Sequence, residues 1–349
     1  LENDGDTTGA ATVDPPPIPT TSTSTSTSTS TSTSTTTTTS TSTTTTTTVV
    51  LPAPLPPVAE PYVAPESEPY ADAKTIAGQI TQRLLTYDPD TSRTQLAEEV
   101  VTDDDQIPDL VEAIQPAFSG GTWSRATVVY PQLGGLTEDR MSVMVVVRQQ
   151  SGDDDETADT VTRTMDVRLM KSDGEWVFEG LASAGGEVTP RPADLPSLSA
   201  EVVDHPNIIL SDSARWDIYR GWISNDLLRL MLDLGNQSKY HVVTLTSGHP
   251  HNVFGTDTMS RHTSGHAVDF YRIADERVVD DRGEASATQR LAAEWCTRDD
   301  VSSIGSPWKF ENEDAADGSE GETVAAFKCR SFTNRVHQDH IHLSVAPPG

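Results

Sequence analysis

Residues Thr20 to Thr48 are serine and threonine only, mostly alternating, with proline-rich stretches on both sides. Such a segment has too little apolar surface to offset the entropy of ordering it, so it is excluded from any packed core. Its composition is that of a flexible tether or of a mucin-like, O-glycosylated stalk. Fully extended, the tract alone would reach roughly 95 Å. The foldable part of the 349-residue chain therefore begins near residue 66, and what remains is long enough for two ordinary domains.

Charge and cysteine content narrow the partners and the compartment. A formal net charge of −29 would repel nucleic acid or an anionic membrane surface, so neither is an expected partner. The acidic runs Asp103-Asp104-Asp105 and Asp153-Asp154-Asp155 read as solvated surface, not as a metal site. Cys296 and Cys329, the 2 cysteines of the chain, are expected to pair in an exported protein, closing a loop worth roughly 3–4 kcal/mol; two reduced core thiols are the alternative. No apolar run approaches the ~20 residues that cross a bilayer. The start at Leu1, without Met or a charged-then-apolar leader, fits an exported chain whose signal segment has been removed.

Periodicity predicts an α+β architecture in two domains: a stalk over 1–65, a first domain over 66–188, a linker over 189–200 and a second domain over 201–349. In the first domain, Ile76, Ile80, Leu84 and Leu85 recur at helical spacing across 71–86. Shorter helical patterns follow at 95–101 and 108–114. Strand patterns then run over 125–130, 141–148, 161–170 and 175–181, the third with Met165, Val167 and Leu169 on one face and Asp166 and Arg168 on the other. Helices followed by a meander of long strands predict a curved antiparallel sheet. In the second domain the pattern predicts a helix over 214–234 ended by Gly235, strands over 242–246, 267–273, 300–304 and 340–345, and a helix over 285–295.

The chemistry concentrates near the C-terminus, where eight of the 9 histidines lie between His241 and His342. The segment Ser260-Arg261-His262-Thr263-Ser264-Gly265-His266-Ala267-Val268-Asp269 fits S-x-H-x-x-G-x-A-x-D, and Asp339-His340-Ile341-His342 follows later. Imidazole and carboxylate suit zinc. Gly265 permits a sharp turn that returns His262 to the strand carrying Asp269. His340 and His342, two apart on a strand, face the same side. Three protein ligands leave the fourth tetrahedral position open to water, which is the arrangement of a catalytic zinc site.

These two elements resemble the D-alanyl-D-alanine metallopeptidase family, which includes VanY-type carboxypeptidases and endolysins and shares its site with lysostaphin-type peptidases and the hedgehog domain. The resemblance spans about 207–346. It implies that His262, Asp269 and His342 hold Zn2+, that Asp339 acts as general base and acid, and that His340 helps hold the transition state. It further implies a place for Ser260 near the substrate or just behind the metal ligands. The family carries an Arg soon after a Ser-Gly-aromatic turn, where this chain has Ser247-Gly248-His249-Pro250-His251. The donor lost at Pro250 would then come from His340, Arg261, His249 or His251, while His266 and His337 are read as mere neighbours. The first domain, ending in Asp173-Gly174-Glu175-Trp176-Val177-Phe178, resembles the nuclear-transport-factor-2-like fold in layout. It contains no histidine and no paired acids in a catalytic pattern, so a spacer or binding role is expected of it.

The expected function is an extracellular zinc peptidase of the cell envelope, secreted or lipid-anchored, that cuts peptidoglycan peptides and is tethered to wall or membrane by the stalk. A zinc-bearing domain that binds wall peptides or a protein partner without cutting them is the alternative, and Pro250 speaks for it. A pure scaffold protein would leave the metal-type cluster without a purpose.

Overall fold

The computed structural model describes residues 55–118, 121–153, 158–310 and 327–347, all within one compact unit that begins after Val50. The serine/threonine tract and the acidic run at 153–155, except Asp153, lie outside the described residues. The protein is α+β, with one antiparallel sheet and one mixed sheet.

Helix α1 (Ala71–Leu85) buries Ala73, Ala77, Ile80, Leu84 and Leu85 along one stripe, as the spacing predicts, and Lys74 lies on that same stripe. Two short helices follow, α2 (Arg93–Glu98), which starts from a Ser92–Gln95 capping box, and α3 (Ile107–Ala113). Residues 55–65, read from composition as part of the stalk, lie along α1 instead: the backbone N–H groups of Tyr62 and Ala64 donate to Gln82 and Thr75.

Strands β1 (Trp123–Leu136), β2 (Arg140–Gly152), β3 (Asp159–Ser172) and β4 (Glu175–Ser183) form the antiparallel meander in sequence order. The helices cover one face, where Val143, Val145, Val167, Leu169 and Leu133 pack against Leu84 and Ile80. The other face is not solvated, contrary to the alternation seen in the third strand: Asp166 is buried, held by Ser142 and by both arms of Arg168. That face is covered by the C-terminal half. Tyr130, Met144 and Val146 form a cluster with Val243, Tyr271 and Val279, and Tyr130 stacks on Tyr271 at 4.6 Å.

After a helix that begins inside the expected linker, α4 (Ser197–Asp204), come β5 (Ile208–Ile209), α5 (Asp212–Tyr219), α6 (Asn225–Gln237), β6 (Tyr240–Thr244), β7 (Ala267–Ile273), β8 (Glu276–Arg277), α7 (Ala287–Cys296), β9 (Ser303–Gly305), β10 (Arg330–Phe332) and β11 (Ile341–Ser344). The single helix predicted over 214–234 is two. Gly221, at φ +70°, takes the chain out of α5, and Ser224 caps α6 by accepting from Leu227 N. Trp222, counted on the apolar stripe, is 49% exposed in that break. Gly235 does not end α6, which runs on to Gln237.

The second sheet has the order β10-β9-β11-β7-β6-β5, with β8 paired to β7. The β5–β6 and β9–β10 pairs are parallel and the rest antiparallel. Beneath it, Leu227, Leu230, Met231, Leu234, Phe270 and Trp295 belong to one core. The Cys296–Cys329 disulfide forms and ties the end of α7 to the start of β10.

Candidate metal centre

The site is set by pairing of the two central strands. Asp269 on β7 and His342 on β11 are direct cross-strand partners, so their side chains leave the same face within a few ångströms of each other. His262 arrives from the turn before β7. Gly265 closes that turn at φ +71° by donating from N to His262 O at 2.9 Å. A Cβ at position 265 would stand 2.0 Å from the Trp222 carbonyl oxygen, so only glycine fits there.

Each ligand candidate is aimed. His262 Nδ1 lies 2.7 Å from the Leu245 carbonyl, which can only accept, so the proton sits on Nδ1 and the lone pair of Nε2 faces the site. His262 Nε2 is 3.1 Å from Asp269 Oδ1 and 3.1 Å from His342 Nδ1, and the third side of this triangle, His342 Nδ1 to Asp269 Oδ1, is 2.9 Å. Donors about 2.0–2.1 Å from a tetrahedral zinc stand about 3.3 Å apart. Three donors already this close, two imidazoles and a carboxylate, fit that ion. His262 and Asp269 are buried, and His342 is half-buried at the floor of a cleft.

No family model, curated protein or solved structure matches this chain.

Burial alone would raise the Asp269 carboxyl. The imidazoles of His262 and His340 and the hydrogen bonds it accepts outweigh burial and hold it well below the usual carboxylate range. Burial lowers His342, partly offset by Asp269. Both shifts leave the groups in the protonation states that bind a cation.

The structure brings His249 in as well. Its ring stacks on that of His262 at 4.0 Å and 18°, and a ring nitrogen lies within 4.8 Å of donor atoms of both His262 and Asp269. Its Nδ1 stands 2.7 Å from the Pro250 carbonyl, which leaves Nε2 as the atom open to the site. The turn that carries it is anchored by Asp217 on α5, which is fully buried and accepts from Thr246 N, Ser247 N and Ser247 Oγ.

The remaining predicted residues divide. Ser260 is buried, lines the cleft and accepts from His262 N. Arg261 also lines it, but its Nη1 donates to Ser302 Oγ and the Val345 carbonyl, both at 2.6 Å. His251 is exposed and does not line this cleft; its carbonyl braces the loop by accepting from Ser260 N and Thr263 Oγ1.

Asp339 and His340 form a pair, His340 Nδ1 lying 2.6 Å from Asp339 Oδ1, while His340 Nε2 looks toward Asp269 Oδ2 at 3.8 Å. Asp339 is fully buried and does not line the cleft. Its Oδ2 accepts from Lys74 Nζ at 2.6 Å and Leu133 N at 2.9 Å. Burial pushes its carboxyl up, and the Lys74 ammonium and His340 more than offset this, so its pKa falls below the ordinary value.

Three residues were missed in the sequence. His337, read as a mere neighbour, lines the cleft with its ring 4.9 Å from that of His340. Lys74 and Gln132 come from the first half of the chain, and no local pattern marks them as site residues. The cleft, about 500 Å³, is also walled from that half by Leu133–Leu136, and Phe254, Met259, Arg330 and Phe332 line it as well.

Proposed function

We propose that this protein is an extracellular zinc peptidase that hydrolyses peptide bonds of peptidoglycan stem peptides or cross-links, of the D,D-carboxypeptidase or D,D-endopeptidase kind. On this reading the serine/threonine tract is a wall or membrane tether, and the first half has a nuclear-transport-factor-2-like layout. The observation that carries the proposal is the triangle of His262 Nε2, Asp269 Oδ1 and His342 Nδ1, with sides of 2.9–3.1 Å at the floor of an open cleft. The similarity to D-alanyl-D-alanine metallopeptidases supplies the substrate class.

When bound, zinc supplies Lewis-acid polarisation of the scissile carbonyl and of the attacking water. His340 handles the proton. Its Nδ1–H is committed to the Asp339 carboxylate, which leaves Nε2 as the atom that accepts a proton in the cleft and returns it to the leaving amine. Asp339 orients this imidazole and stabilises its cationic form. This division of labour reverses the one implied by the resemblance, because Asp339 is spent on Lys74, Leu133 N and His340. Pro250 offers no donor, and Arg261 is engaged elsewhere. Among the described residues that line the cleft, Arg330, exposed on its wall, is the cation that remains to meet a substrate carbonyl or carboxylate.

Digestion of purified peptidoglycan, with mass analysis of the products, tests the proposal. Metal-dependent loss of a terminal residue, or cleavage of a cross-link, is the expected result. Pro250 favours a second reading, a zinc-bearing domain that binds wall peptides without cutting them. Intact peptidoglycan that retains the protein in a sedimentation assay would establish that second reading in place of the first.

A further inference from the structure

The first half of the molecule reaches the two acids of the site with buried donors. Gln132, fully buried on β1, donates from Nε2 to Asp269 Oδ2 at 2.6 Å. Lys74, fully buried on α1, bridges Asp339 Oδ2 at 2.6 Å and Glu68 Oε2 at 2.5 Å. Leu133 N and Tyr130 Oη add hydrogen bonds to the Asp339 carboxylate and carbonyl, at 2.9 and 2.7 Å. We propose that the metal centre is composite: Gln132 is the positioning residue of the ligand Asp269, and Lys74 that of the Asp339–His340 pair. The inference rests on the zinc reading of the same site and makes α1 and β1 part of it, not a spacer beside it.

The chemistry of each donor matches its place. A carboxylate presents one oxygen to a metal in a fixed direction only when its other oxygen is held. Asp269 Oδ2 is held by Gln132 at 2.6 Å, and His340 Nε2 stands 3.8 Å from the same oxygen. A neutral carboxamide fixes the acid without competing for its charge, whereas a cation there would weaken the attraction for metal. Lys74 stands one residue further out, where a full charge is useful: it keeps Asp339 a strong acceptor for His340 Nδ1–H, so that Nε2 stays the free atom. Glu68, which Arg277 also contacts at 3.3 Å, balances the buried ammonium.

The backbone is built for these contacts. Register shifts fall between Val128 and Tyr130 and between Leu133 and Gly135, and they bracket the residues that reach the site. Bulges re-aim a strand in this way. The fit between the halves is close on the other side of the centre too. Gly248, in the turn before His249, sits at φ +85°, and a Cβ there would lie 2.2 Å from the Thr164 carbonyl oxygen of β3.

Two full-length variants test the proposal. Gln132→Leu removes the carboxamide at similar volume, and its zinc Kd, read by competition with a chromophoric chelator, should be ten- to a hundred-fold weaker than the parent's. Glu68→Gln/Lys74→Met removes a cation and an anion together, which keeps the buried charge balanced. It should bind zinc as the parent does and lose kcat with KM unchanged, and adding His340→Ala should cause no further loss. Parent-like zinc binding by Gln132→Leu, or a further loss on adding His340→Ala, overturns the composite centre alone. A parent chain that binds no zinc overturns the metal reading itself, and this inference with it.

Discussion

His262 Nε2 and His342 Nδ1 face each other at 3.1 Å, both against Asp269 Oδ1. Two neutral imidazole nitrogens at that distance share at most one proton, and the Leu245 carbonyl already takes the proton of His262 on its far side. A plain hydrogen-bonded triad and a metal cage differ only in which nitrogen of His342 carries its proton. Metal analysis separates them: the full chain should carry about one zinc, and His262→Ala or His342→Ala should carry none under the same dialysis. Equal zinc in the parent and in both variants would place the metal elsewhere.

Much of this centre was legible because it is local. His262 and Asp269 are seven residues apart and joined by a turn that needs glycine. Asp339 to His342 is a four-residue pattern ending on a strand. The same locality made α1 and β7 readable to within a residue or two at each end. What failed was long range. Lys74 and Asp339 are 265 residues apart, and Gln132 and Asp269 are 137 apart. The one signal was Lys74 itself, a lysine on the buried stripe of an amphipathic helix, where an unpaired ammonium would be expelled. The helix read over 214–234 failed for a different reason: its apolar spacing persists across Gly221 and Ser224, and spacing does not register a left-handed residue or a second cap.

His340 and Asp339 should separate on mutation. On the proposed mechanism His340→Ala removes the imidazole that moves the proton, so turnover on wall peptides should fall about 10²–10⁴-fold with zinc retained. Asp339→Asn should lose turnover and stability together, since Lys74 would then face an amide as well as Glu68 in a buried network whose disruption costs about 3–5 kcal/mol. Kinetics and urea unfolding on the same samples measure both. Full turnover in His340→Ala beside an inactive Asp339→Asn would return the base role to Asp339.

The Cys296–Cys329 bond closes a loop with a sequence separation of 33 residues. On the chain-entropy model this contributes about 3–4 kcal/mol. It also pins the start of β10, whose Arg330 and Phe332 line the cleft. The Cys296→Ser/Cys329→Ser protein should unfold at lower urea by that free energy and show a raised KM for wall peptides. Unchanged unfolding would sink the stability argument, and an unchanged KM would detach β10 from substrate binding.

Away from the candidate metal centre, His241 on β6 is expected to set a pH dependence of stability. Its ring meets Tyr271 edge-on at 5.5 Å, with Tyr271 Oη 3.3 Å from Nδ1. Burial first, and then the positive charges of Arg272 and Lys239, lower its pKa to about 4, with Asp275 opposing. In the unfolded chain the group titrates near 6.5. Between these values the unfolded state holds a proton that the folded state does not, so stability rises with pH through this window and is lost as pH falls from about 6.5 toward 4. Because the ring is only about half-buried, solvent screening trims the effect to on the order of 1 kcal/mol. The measurement is the thermal midpoint at pH 7.5 and 4.5, with chelator present so that metal loss does not contribute. His241→Gln should show a smaller drop than the parent across that interval. An equal drop would mean that the acid sensitivity belongs to other groups, such as His337, whose pKa burial lowers in the same direction.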